Sequence, residues 1–197
     1  MTRAPTFALI ALFAAMPAVA QTPAAPPQPE QDIVSVMSRM TLVVRDLEAS
    51  KRFYTYALGY QLAGERLIDN PIVKVQMGIA QDRTMRFAIL RSSHVIAGER
   101  RDGAGIGLIE IGNPPLPVMS RPGDAVLAAG EAMMAVRTTD IALVHARLRE
   151  LGARILLEPM KSPDGRETEL VVHDPDGVRI HVVQRADRPA PTPMQSK

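Results

Sequence analysis

The stretch RMTLVVRDLEASKRFYTYALG, residues 39–59, decides the fold. Arg39 to Val44 is rich in aliphatic and β-branched side chains and predicts a strand. Asp46 follows, a short acceptor side chain suited to an N-cap. Leu47, Ser50, Phe53, Tyr54, Ala57 and Leu58 then recur at three- and four-residue steps, which is one face of a helix. Gly59 tolerates the left-handed turn that ends it.

The same order returns further along. Met133 to Arg137 is a strand, Asp140 an N-cap, and Ile141, Val144, Leu148 and Leu151 a helix stripe closed by Gly152. Strand-like segments follow each helix: near 60–67, 85–91 and 106–111 in the first half, and 154–158, 167–173 and 178–184 in the second. Ser162-Pro163-Asp164-Gly165 and Asp174-Pro175-Asp176-Gly177 are turn sequences, in which Pro presets φ and Gly takes the left-handed position. The layout is βαβββ, a connection, then βαβββ. The connection, 113–131, is long for a compact domain; it suits either a lid or partner contact, or a solvated strap.

The chain has 197 residues, 46% of them hydrophobic and 22% charged, enough for one ordinary domain. Aromatics make up 4% with no Trp, so aliphatic residues and 11 Met must fill the core. The net charge is only +2 and no basic run is interleaved with aromatics, which argues against a nucleic-acid partner. Arg3, the apolar run Phe7 to Ala15 and the small-x-small site Ala18-Val19-Ala20 predict a signal peptide over 1–20, too short for a membrane anchor. Without cysteine there is neither a disulfide nor a site for lipid attachment at Cys. These features predict a soluble periplasmic protein, with extracellular secretion as the alternative. The Pro- and Ala-rich segments 21–33 and 186–197 are expected to be disordered. The folded part is then 34–185: module one 36–112, the strap 113–131, and module two 132–185.

Val44-Arg45-Asp46-Leu47-Glu48-Ala49-Ser50 with Phe53-Tyr54 and Leu58-Gly59, followed at distance by Val172-His173-Asp174-Pro175-Asp176-Gly177-Val178-Arg179-Ile180, resembles the opening and closing motifs of the vicinal-oxygen-chelate superfamily of glyoxalases, dioxygenases and bleomycin-resistance proteins. The resemblance implies an α+β fold of two tandem βαβββ modules. Their curved sheets would form a half-open barrel around a ligand cavity, with the helices outside. In metal-dependent relatives, four side chains on the first and last strands hold a divalent ion. Counting from the motifs puts Arg39 and Met133 on the first strands and Glu110 and His181 on the last.

That set departs from the family pattern. Arg has no lone pair to donate, and the Met thioether suits soft ions. A one-residue slip offers Ser38, Met40, Ile109, Ile111, Ala132, Met134, Ile180 and Val182; a two-residue slip adds only Glu131 as a ligand type. The expectation is therefore no resident cofactor, with a divalent metal (Zn, Ni, Fe or Mn) at Glu110 and His181 as the alternative. If Arg39 and Glu110 share the cavity, one reading is an ion pair in place of the metal. The other is that Arg39 binds an anionic or carbonyl-bearing ligand while Glu110 or His181 moves a proton as catalytic groups. Tyr54 and Met133 are further candidates for substrate contact, or else core residues. His94, His145 and His173 read as surface, helix-boundary and turn positions. Two functions follow from the resemblance: a glyoxalase- or dioxygenase-like enzyme (a lyase or isomerase in the first case) acting on a small organic molecule, or a metal-free protein that sequesters one. Either a monomer or a homodimer is compatible.

Overall fold

A computed structural model of the chain describes residues 37–92, 105–117, 119 and 127–185. The expected signal peptide, the 21–33 linker, the 186–197 tail, His94 and part of the strap lie outside the described residues.

Module one contains β1 (Arg39–Val44), α1 (Leu47–Arg52), β2 (Gln61–Leu67), α2 (Pro71–Gln76), β3 (Thr84–Arg91) and β4 (Gly105–Gly112). Module two contains β5 (Met133–Arg137), α3 (Ile141–Glu150), β6 (Arg154–Lys161), β7 (Glu167–His173) and β8 (Arg179–Arg185). Each module makes one four-stranded sheet, ordered β1-β4-β3-β2 and β5-β8-β7-β6. In both, the first strand runs parallel to the last, while the remaining pairs are antiparallel. The sheets are curved and do not close into a barrel.

Both expected N-caps form. Asp46 Oδ1 accepts from Ala49 N at 3.0 Å, and Asp140 Oδ1 accepts from Leu143 N at 2.9 Å. Gly59 and Gly152 end the helices at φ +76° and +63°, a region that costs a side-chain-bearing residue energy. Two local features differ from the sequence reading. After Arg52 the first helix widens into a π-helical turn, Phe53–Ala57. Between β2 and β3, where no helix was read, Asn70 caps the short helix α2 and Pro71 occupies its first turn. An Asn-Pro step is a legible helix start, but the six-residue helix it opens is too short to show a period.

One apolar core runs through both modules. Leu42, Val44, Phe53, Leu90 and Leu108 of module one join Val144, Leu148, Leu170, Ile180 and Val182 of module two. It lies where α1, the π turn and α3 cover the sheets, so the helices stand on one face of each sheet, as expected. Strand alternation then places the intervening residues on the opposite face. In module one part of that opposite face carries a second apolar cluster of Met85, Phe87, Ile109 and Ile111, joined by Ile79 and the α2 residue Val73.

Candidate functional site

The register of each sheet decides which candidates share a face. In module one β1 pairs with β4 so that Arg39 lies beside Gly105, Thr41 beside Gly107 and Val44 beside Glu110. Val44 belongs to the helix-side core, and Glu110 points the same way. Its Oε1 accepts the Leu47 N–H at the start of α1 at 3.3 Å, and its Oε2 receives Arg86 Nη1 at 3.1 Å. Arg39 points to the other face. The expected cavity shared by Arg39 and Glu110, and an ion pair between them, are therefore corrected: one residue of offset along a strand reverses the side.

Arg86 and Lys51 gather the carboxylates on the helix side. Arg86 Nη2 lies 2.6 Å from both Glu48 Oε1 and Glu65 Oε1, while Lys51 Nζ is 2.8 Å from Glu48 and 2.5 Å from Glu65. Hydrogen bonds from Lys51 and then Arg86 hold Glu48 and Glu65 below the usual carboxylate range. Glu110 thus helps to fasten α1 to its sheet.

Tyr54 is also corrected as a substrate contact. It is fully buried, and its hydroxyl donates to Asp174 Oδ2 at 2.8 Å. Burial, reinforced by the Asp174 charge, pushes the phenol pKa far up, so it stays protonated. Asp174 belongs to the Asp-Pro-Asp-Gly turn, where its Oδ1 accepts from Asp176 N at 3.0 Å and from Val178 N at 2.7 Å. Asp176 reaches the same partner module: Oδ1 accepts from Arg45 N at 3.0 Å and Oδ2 from Ser50 Oγ at 3.3 Å. The opening and closing motifs therefore bind one another.

In module two Met133 lies beside Arg179 and Ala135 beside His181, on the face away from the helices. His181 Nε2 is 3.1 Å from Glu169 Oε2, and both side chains are about one quarter exposed, at 27% and 24%. Glu169 was not singled out in the sequence. The pairing of β7 with β8 brings it in, by placing Glu169 beside Val183, two residues from His181. Met133 is 53% exposed on that face. His145 Nε2 is engaged by Glu158 Oε2 at 2.6 Å, away from this pair.

Superposing the two registers gives the repeat its internal numbering. Arg39 corresponds to Met133, Gly107 to His181, Phe87 to Glu169 and Glu110 to Gln184. The last equivalence is functional within the fold: Gln184 Oε1 accepts the Ile141 N–H at 2.7 Å, as Glu110 accepts that of Leu47. Glu110 and His181 are thus not equivalent positions, although each stands on the last strand of its module.

The family description Glyoxalase/Bleomycin resistance protein/Dioxygenase superfamily matches residues 36–182. The chain belongs to this superfamily. Among solved structures, this superfamily member is similar to a glyoxalase family protein from Bacillus cereus, with TM-score 0.66 and 16% identity over 81% of this chain and 100% of that one. It is also similar to glyoxalase I from Zea mays, with TM-score 0.52 and 21% identity over 78% of this chain and 46% of that one. The chain therefore spans about half the length of the maize enzyme. These likenesses concern the fold. No curated protein matches the sequence.

Members of the superfamily often use a divalent metal, and the donor set of this chain can be tested against one. Among the described residues no three His, Cys, Asp or Glu side chains gather. On the faces away from the helices, module two offers His181 and Glu169, with Glu167 held by Arg185 and His173 at the end of β7, whereas module one offers Arg39, Arg66, Thr41 and apolar residues. A guanidinium is no ligand, and Glu131, the remaining sequence candidate, accepts from Ala128 N at 3.1 Å. The described residues do not fit a four-ligand centre.

Proposed function

We propose that this superfamily member is exported to the periplasm and acts on a small organic molecule as a glyoxalase- or dioxygenase-like protein. The ligand lies on the sheet faces turned from the helices, and the chemistry is acid–base rather than metal-chelate. The single observation that carries this reading is the His181–Glu169 pair at 3.1 Å on such a face. A carboxylate beside an imidazole fixes its tautomer and orientation, which equips the other ring nitrogen to take or return a proton. Burial of both groups to about three quarters shields that step from bulk water.

A second reading, sequestration without turnover, is favoured by module one. On the outward face of its sheet the Arg39 guanidinium lies over the Phe87 ring, groups that hold a ligand and do not transform it.

The test combines metal analysis of the purified chain with turnover of a panel of small carbonyl and phenolic compounds. Conversion is expected to survive chelation and to fall about hundredfold or more in His181→Ala, the usual weight of a general base. A stoichiometric divalent ion required for conversion would overturn the proposal. Binding without conversion selects sequestration. The N-terminus of the protein recovered outside the cytoplasm is expected to be Gln21.

A further inference from the structure

We infer that the module-one face holds a small carboxylate with a planar apolar body, gripped by Arg39 and Arg66 against Phe87. This rests on the ligand-binding part of the proposed function and names the class of ligand.

The Phe87 ring, only 8% exposed, lies within reach of two guanidinium groups. Arg39 Cζ is 5.4 Å and Arg66 Cζ 6.0 Å from its centroid. They arrive over one face from opposite edges of the sheet: Arg66 pairs directly with Phe87 across β2 and β3, while Arg39 reaches over from β1. Gly107, on the strand between, makes this possible. A Cβ there would sit 3.0 Å from the Phe87 ring and from Thr41 Oγ1, and 3.2 Å from Arg39 Cδ. The corresponding position in module two is His181, so the bare backbone at 107 is what lets ring and guanidinium meet.

Charge on this face is unbalanced. The carboxylates of this sheet and its helix, Glu48, Glu65 and Glu110, are turned to the helix side and engaged by Arg86 and Lys51. Among the described residues neither Arg39 nor Arg66 has a carboxylate within ion-pair distance. A third guanidinium chain, Arg91, flanks the same face, its Cγ 3.9 Å from where a Gly105 Cβ would stand. Like charges crowded over an apolar floor favour an anionic partner. Guanidinium groups match carboxylates in a two-pronged hydrogen-bonded geometry while still packing on rings. The floor beneath, Phe87 with Ile89 and Ile109, suits an apolar body.

Titration calorimetry of the full chain with benzoate, benzamide, acetate and inorganic phosphate tests this. Benzoate is expected to bind tightest, and Arg39→Met and Arg66→Met each to weaken it about tenfold, the loss of one charge-assisted contact. Phe87→Leu is expected to erase the preference for benzoate over acetate; circular dichroism checks that each variant is folded. Turnover of the carbonyl and phenolic panel is measured separately in the same Arg→Met variants and the parent, so a failed acid–base role and a failed anion site give different results. Equal binding of benzamide, phosphate binding as tight as benzoate, undiminished affinity in folded Arg→Met variants, or no benzoate binding at millimolar concentration would each overturn the inference.

Discussion

Tyr54 carries a polar atom into a place no water reaches, and its partner Asp174 is itself 4% exposed. Removing the hydroxyl in Tyr54→Phe leaves a buried carboxylate oxygen without its donor, at a cost of about 1–3 kcal/mol. Burial holds the Asp174 pKa above the 3.8 of a free aspartate, and the bonds from Val178 N–H and Tyr54 work against that rise. A raised folded pKa means the native state favours the protonated form, so this group's contribution to stability falls as pH rises above 3.8. Losing the Tyr54 bond lets the pKa climb further. The stability gap between Tyr54→Phe and the parent should therefore widen from acid towards neutral pH, as read by urea denaturation at several pH values. A constant gap would mean that Asp174 does not titrate in this window. At this scale the sequence was informative about residue type and poor about direction. Asp46, Asp140 and both glycine stops declare their roles, because caps depend on neighbours three residues away. Glu110 does not, because the face of a strand residue depends on a register fixed by another strand.

The helix α1 is too short to hold itself, with six residues before the π turn. It is fastened from its sheet by Glu110 at its first N–H and by the Arg86 cluster along its side. The amide of Gln184 does the same for α3 without a charge. Glu110→Gln should thus cost less than about 1 kcal/mol, because an amide oxygen can still accept from Leu47. Glu110→Leu should cost about 1–3 kcal/mol through the orphaned N–H. Thermal unfolding of the two variants checks this, and substantial loss of ligand turnover in folded Glu110→Gln would restore a catalytic role to the residue. The elements themselves were largely legible: all strands and the helices α1 and α3 appear in the places read from the sequence. The π turn was not, since a widened turn keeps the same apolar residues buried and so leaves the stripe intact. The site was legible by half. His181 and Arg39 were found from the motifs, whereas Glu169, Arg66 and Phe87 come into contact with them only through strand pairing.

Across the whole molecule the shared core binds the modules into one cooperative body. Leu148 on α3 is fully buried in the same cluster as Leu108 of module one. Leu148→Ala is expected to cost about 2–5 kcal/mol, the range for an aliphatic truncation that leaves a cavity. The loss should be felt on both sides, with amide exchange quickening in β3 and β4 as well as in β6 to β8. Protection unchanged in module one would show that the halves unfold separately. The repeat and the fold were legible at this scale because cap, stripe and stop recur in order.

The two registers also sort the residues by freedom to change. The helix-side positions do one job in both modules: Asp46 and Asp140 cap, Glu110 and Gln184 accept the first N–H. The alternate positions differ, with Arg39 and Phe87 in one module and Met133 and Glu169 in the other. A two-residue period therefore separates scaffold from chemistry along a single strand. New reactions could be installed by rewriting every second residue, with the intervening ones left to refold the chain unaided.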